Sequence, residues 1–242
     1  MKKLFFYKQL KLSLPLLVLS FWSFAQITPS SEGKGGNNSG GGLEYKVGVR
    51  FLSLQSFNEV LKTEGLAELN PAAFSCYFGN TIFNEKFVFN HGLHAFAAHG
   101  SENLNRSHFW GFGLSLDFGY QIWKNSRMCL YPYINASFSG NQFRTFQKTD
   151  ANTIHSVYAQ SLVERTFSRD GELDAALGLS YQIKISKNYL LRVGGGYYFR
   201  LWQNDWRHCS GNKVEFPKVD NRGWEIGISW TLLNRKTVKK EE

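Results

Sequence analysis

No run of 18 consecutive apolar residues occurs in this chain of 242, so no segment reads as a membrane-crossing helix. Proline is scarce, 5 residues in all, which leaves long hydrogen-bonded strands uninterrupted. There are 3 cysteines, an odd count and too few for a disulfide scaffold. The formal net charge is +9, but Lys2, Lys3, Lys8 and Lys11 account for four of it. No basic stripe is left to suggest nucleic acid. The 6 histidines lack zinc-site spacing: His91 and His94 point to opposite faces of a strand, His99 follows five residues on, and His208-Cys209 has no second pair nearby. No metal or other cofactor is expected.

Alternation is abundant in their place. In WGFGLSLDFGYQI (110–122), Trp110, Phe112, Leu114, Leu116, Phe118, Tyr120 and Ile122 share one parity, and Gly111, Gly113, Ser115, Asp117, Gly119 and Gln121 the other. Strand side chains alternate between faces, so this ribbon is apolar on one side and small or polar on the other. It is longer than the roughly 9–11 residues a tilted strand needs to cross a bilayer. The pattern fits a transmembrane β-barrel with lipid outside and a polar lumen inside.

The first 25 residues read as a secretory signal peptide: a lysine-bearing start, a short apolar stretch from Leu14 to Phe24, and Ser23-Phe24-Ala25 before the cut. Residues 26–42, rich in Gly and Ser, read as a periplasmic leader. Eight strands follow, at 43–51, 73–83, 87–98, 109–122, 128–138, 172–183, 189–201 and 223–232. Ser56 and Glu59 have capping-box spacing and predict a short helix in the first connection. Asn80 and His91 are polar residues on the face assigned to lipid, and Pro132 is a blemish in the fifth strand. Connections two–three, four–five and six–seven are tight and the others longer, which places short turns and both termini on the periplasmic side. The expected fold is therefore all-β, a single eight-stranded antiparallel up-and-down barrel over 43–233, with a charged periplasmic tail at 234–242.

At this point the chain resembles the small eight-stranded outer-membrane barrels of the OmpA/OmpX type, in the form common in Bacteroidetes. The resemblance is carried by WGFGLSLDFGYQI, ELDAALGLSYQIKI, LLRVGGGYYFRLW and the closing GWEIGISWTLL, whose aromatic-bearing end is similar to the strand read by the barrel-assembly machinery. The nine-residue polar tail departs from chains that stop at that aromatic. The resemblance implies outer-membrane residence among lipids and lipopolysaccharide.

The inward parity carries Glu44, Lys46, Arg50, Asp117, Asp174, Arg192, Arg200 and Glu225. Unpaired buried charge is costly, so these are expected to form an ion-pair network plugging the lumen, with Glu225 paired to Arg192, Arg200 or Arg50. Trp110, Tyr120, Tyr189, Trp224 and Trp230 are expected to form the aromatic girdle. Cys76 and Cys209 are a candidate disulfide across one rim, against a reading in which the thiols are unpaired. The adjacent pairs Ser107-His108 and His155-Ser156 place their side chains on opposite strand faces, so no catalytic group is expected. The connection at 139–171 is the candidate surface-binding segment, either extending the flanking strands beyond the membrane or forming a solvated variable loop. The expected role is structural or interactive, in adhesion or recognition at the cell surface. The alternatives are a narrow solute channel, a lipid-modifying outer-membrane enzyme and a soluble periplasmic β-sandwich binding module.

Overall fold

A computed structural model of the chain describes residues 40–102, 105–147, 163–208 and 222–233. The signal peptide, most of the leader, the charged tail, Cys209 and His155-Ser156 lie outside the described residues. In chain order the elements are β1 (Gly40–Phe51), α1 (Gln55–Thr63), β2 (Ala72–Phe83), β3 (Phe87–Glu102), β4 (Asn105–Tyr120), β5 (Trp123–Lys124), β6 (Met128–Gln147), β7 (Val163–Lys184), β8 (Tyr189–Gln203), β9 (Arg207–His208) and β10 (Gly223–Leu233).

Eight long strands pair antiparallel with their neighbours in sequence: β1–β2, β2–β3, β3–β4, β4–β6, β6–β7, β7–β8 and β8–β10. The ring closes where β1 meets β10, from Gly42 opposite Leu233 to Arg50 opposite Glu225. The chain is thus a closed eight-stranded antiparallel β-barrel, as its alternation predicts. The two-residue strands β5 and β9 are appended to β6 and β7.

Burial follows the two-residue period. On β2, Ala73, Ser75, Tyr77, Gly79 and Thr81 are buried, while Ala72, Phe74, Cys76 and Phe78 are exposed. On β10, Glu225, Gly227, Ser229 and Thr231 point inward, and Trp224, Ile226, Ile228, Trp230 and Leu232 outward. Pro132 faces outward. Its carbonyl still accepts, and only the donor position is lost.

Several boundaries differ from the sequence expectation. β1 starts at Gly40 rather than Leu43, so three leader glycines belong to the ladder. Gly42 is required there, because a Cβ would stand 2.1 Å from the carbonyl oxygen of Leu232 across the closing seam. β3 runs on to Glu102 and β4 begins at Asn105. The largest boundary shift concerns 139–171, where the flanking strands do extend. Most of the expected loop is strand, since β6 reaches Gln147 and β7 starts at Val163, with the ladder running from Asn141–Arg169 out to Gln147–Val163.

The cause is a bulge. Between the pairs Ser139–Glu172 and Asn141–Arg169, β6 spends one residue and β7 spends two, Asp170 and Gly171. Gly171 has φ +95°, a left-handed conformation that an L side chain resists. The inward parity of β7 therefore changes from odd (Phe167, Arg169) to even (Glu172, Asp174, Ala176). An Asp-Gly step followed by a parity change reads as a turn in sequence, and here it is a bend inside one strand. β8 absorbs a matching irregularity near Leu201.

The helix is present, but the capping box is not. α1 begins at Gln55 with Leu54 at its N-cap and no side-chain cap bond. Ser56 is already inside the helix, so its hydroxyl is misplaced for the free amides. Leu54, Phe57 and Leu61 are instead buried, and this packing holds the helix over one end of the barrel.

Candidate functional site

The lumen collects nearly every buried charge, and it is layered. Nearest the tight turns lie Val88, Cys129, Tyr131 and Tyr133, with Phe83 against them. At the opposite end Leu52, Leu54, Phe57, Leu61, Leu66 and Leu69 from the first connection meet Phe96, Phe109, Phe143, Phe167 and Trp206. Phe57 packs edge-on to Phe143 with ring centroids 4.9 Å apart. The side chain of Asn58 brackets Leu69, donating to its carbonyl at 2.8 Å and accepting from its amide at 2.9 Å. Asn105 donates to the Gly65 carbonyl at 2.8 Å, which ties the cap to the β3–β4 end.

Between these apolar layers lies the polar middle. Glu44 is paired with Arg192, whose guanidinium also donates to Tyr131 Oη at 2.8 Å and to Ser229 Oγ at 3.0 Å. Lys46 is paired with Glu225. Arg50 donates to Asp174 at 2.9 Å, and both side chains are essentially inaccessible, 1% and 2% exposed. The Arg50 guanidinium also lies over the rings of Tyr198 and Phe96, at 4.2 and 5.0 Å. Higher up, Glu172 receives Arg169, Arg200 and Asn141 together. Arg169 stacks at 4.9 Å over Trp206, where the polar layer joins the cap.

All eight charged residues expected in the lumen do point inward, but their pairing differs from the expectation. Glu225 binds Lys46 rather than an arginine: Arg50 stands opposite Glu225 across the β1–β10 seam but is paired with Asp174, and Lys46, four residues along β1 opposite Ser229, reaches Glu225. Asp117 is held by amides, accepting from Asn90 at 3.3 Å and from Asn135. Sequence reading missed Arg169, which sits in the stretch assigned to a loop, and Glu172, the first residue of the sixth expected strand, which was not counted among the inward charges. With them the described lumen holds five cations (Lys46, Arg50, Arg169, Arg192, Arg200) and five anions (Glu44, Asp117, Glu172, Asp174, Glu225), equal in number. One void inside has a volume of about 30 Å³ and is lined by Lys46, Tyr77, His94, Asp117, Tyr133 and Glu225. That volume suits one or two waters.

His94 is part of this interior wall, while His91 faces outward opposite Asn80, on opposite strand faces as their spacing predicts. Cys76 is a free thiol exposed on the outer face, midway along β2 between Val47 and Ala95. It is therefore not at a rim, and the expected bridge to Cys209 does not hold for it. Cys129 is free and buried. Ser107 is buried inside and His108 faces out, so this adjacent pair does not converge. His108 instead meets His99 across β3–β4, Nδ1 to Nδ1 at 3.2 Å. Burial, then His99, Arg106 and Arg144, hold the His108 imidazole below its ordinary value.

The outer face carries the five girdle residues. Trp110, Tyr120, Tyr189, Trp224 and Trp230 are all exposed, between 38% and 59%. Val47, Phe74, Phe112, Phe118, Ile134, Leu177, Val193 and Ile226 are exposed apolar side chains as well.

No protein-family model and no curated protein matches the chain. Among solved structures it is similar to Ail, the attachment invasion locus protein of Yersinia pestis, at 11% identity, TM-score 0.41, over 81% of this chain and 97% of that one. It is similar to Neisserial surface protein A at 11% identity, TM-score 0.42, over 82% and 99%. A major outer membrane protein of Thermus thermophilus matches at 12% identity, TM-score 0.48, over 80% and 99%. Likenesses this slight carry no functional weight, and the barrel rests on its own strand pairing.

Proposed function

We propose that the chain is an exported outer-membrane barrel with a non-conducting, non-enzymatic role, structural in the membrane and interactive at its far end. The observation that carries this reading is the inversion of polarity. The outside is a belt of exposed aromatic and aliphatic side chains, while the buried interior holds ten charged groups in balance. In water such a surface would aggregate, whereas in a bilayer it is the solvated face. The tight turns and both ends of the barrel chain lie at one rim, which this reading assigns to the periplasm.

A solute channel is disfavoured by the filled lumen and the α1 cap. The surface role falls to the extension of β6 and β7 beyond the level of Gln203, where β8 stops; β4 accompanies β6 out to Phe146 and β9 pairs β7 at Phe167 and Ser168. Such a projection offers side chains such as Arg144 and Arg165 to an adhesion or recognition partner. Kinship with the OmpA/OmpX-type barrels, export through the signal peptide, lipopolysaccharide around the outer face and reading of the last strand by the assembly machinery belong to the same proposal.

The test has two parts. In outer-membrane fractions the unboiled protein is expected to migrate differently in SDS from the boiled protein, and in planar bilayers it is expected to show no steady conductance. Recovery in the soluble periplasm would overturn the membrane reading, and stable unit conductance would overturn the plug. For the surface role, replacing 145–168 by a tight turn is expected to abolish adhesion while the mobility shift persists. Unchanged adhesion would refute that part.

A further inference from the structure

We propose that the turn end of the barrel is a binding surface for the anionic headgroups of glycerophospholipids, formed by Lys86, Lys124, Arg127, Lys184 and Lys187. The proposal rests on the membrane-barrel reading above and names the lipid chemistry at one rim. The five side chains are all exposed, and none makes an ion pair among the described residues. Glu85 is the one acid on the three tight turns. The opposite end carries both signs, with Glu59, Glu64, Glu68 and Glu102 beside Lys62, Arg106 and Arg207.

The turns form one surface because they are laced sideways through their backbones. The Gln121 amide donates to the Lys86 carbonyl at 2.7 Å, and the Lys184 amide to the Arg127 carbonyl at 2.7 Å. Within two turns an asparagine fixes the bend: Asn84 Oδ1 accepts from the amides of Lys86 and Phe87, and Asn125 Oδ1 from those of Arg127 and Met128. The five basic groups are thus held along one continuous arc that joins the β2–β3, β4–β6 and β7–β8 connections.

Immediately above the arc lies a row of exposed aromatics, Phe87, Tyr120, Trp123 and Tyr189. Phe87 packs on Tyr120 and Phe118 at 5.5 and 5.3 Å. Aromatic rings of this kind sit at headgroup depth, and a Lys or Arg stem one step beyond lays its methylenes on apolar surface and its charge among phosphates. A basic group near an anionic bilayer surface is worth about fivefold in affinity, so four net charges set an upper bound of several hundredfold.

The experiment titrates the purified full-length barrel in neutral micelles with phosphatidylglycerol or phosphatidylcholine and counts retained lipid by native mass spectrometry. The wild type is expected to retain phosphatidylglycerol at least about tenfold better than phosphatidylcholine, with most of that preference lost in about 0.5 M salt. A variant with all five residues changed to Gln is expected to lose the preference. Should that variant fail to fold, Lys86→Gln and Lys187→Gln are each expected to lower it severalfold. Equal retention by the wild type, or a preference kept by folded variants, overturns the inference. So does sedimentation with peptidoglycan sacculi without lipid preference, which would assign the arc to the cell wall. Heat-dependent mobility separates the two levels: a wild type lacking it fails the barrel reading, and a wild type showing it without lipid preference fails this inference alone.

Discussion

Asp174→Asn should be among the most damaging single substitutions in the lumen. Asp174 receives Arg50 at 2.9 Å, lies 4.0 Å from Arg200 Nε, and is 2% exposed. The amide keeps the shape and removes the charge, leaving the Arg50 guanidinium buried against Tyr198 and Phe96 without its carboxylate. Breaking a buried pair from one side costs about 3–5 kcal/mol. With a urea dependence of roughly 2 kcal/mol per molar, the unfolding midpoint should fall by about 1.5–2.5 M. The double variant Arg50→Met/Asp174→Leu removes both charges and should recover most of that loss, because an apolar pair of similar volume avoids the desolvation cost. The assay is urea unfolding of the barrel in phospholipid vesicles, followed by tryptophan fluorescence and by heat-dependent mobility. A midpoint shift under about 0.5 M for Asp174→Asn, or a double variant no better than the single one, would refute the view of the lumen as an interlocked set of pairs.

Other expectations are as direct. Phe57→Ala, which empties the centre of the α1 cap, should cost about 3–5 kcal/mol of local packing and expose 52–71 to protease while the strands remain protected; a cap as resistant as the wild type would count against it. Cys76 in vesicles should react with a membrane-permeant maleimide and resist a charged one, the difference vanishing on unfolding; rapid labelling by the charged reagent would mean the outer face of β2 is wet. His108 is held below its ordinary value near ~6.5, so the folded state binds fewer protons than the unfolded one. Its contribution is therefore intact above that value and lost as pH falls through the window down to the lowered one. Hydrogen exchange at the β3–β4 end should show this weakening, and His108→Gln should abolish it.

Fold class was legible because the outer face and the lumen of the barrel carry opposite polarities on alternate residues, as in 110–120 and 223–233. The helix was legible from the broken alternation after Phe51, although its cap was not, since burial of Leu54 and Phe57 decides that position. The reach of β6 and β7 was hidden by Asp170-Gly171, where a bulge inverts parity in mid-strand. The inward charges were readable from parity, but their partners were not. Lys46 and Glu225 are 179 positions apart and Glu44 and Arg192 are 148 apart, and only the closed register brings them together. Cys76 was misplaced at a rim for the same reason, because its height depends on the pairing of β2 with two neighbours.

The seam between β1 and β10 has a consequence for how the molecule is made. Seven of the eight long pairings join strands that follow one another along the chain, and each can zip as a hairpin from its own connection. The eighth needs the last strand to find the first, so it cannot start until synthesis of the whole barrel is complete. Ring closure over so long a loop costs only slightly more than over half of it, because the entropic penalty grows with the logarithm of length. Until that moment β1 and β10 both present open edges and the Lys46–Glu225 bond is missing, which makes this seam the natural last step of assembly. Gly42 and Leu233 end side by side at the same rim. A short linker there, with new termini opened between Glu102 and Asn105, would move the final closure to β3 and β4 and leave the finished ring unchanged.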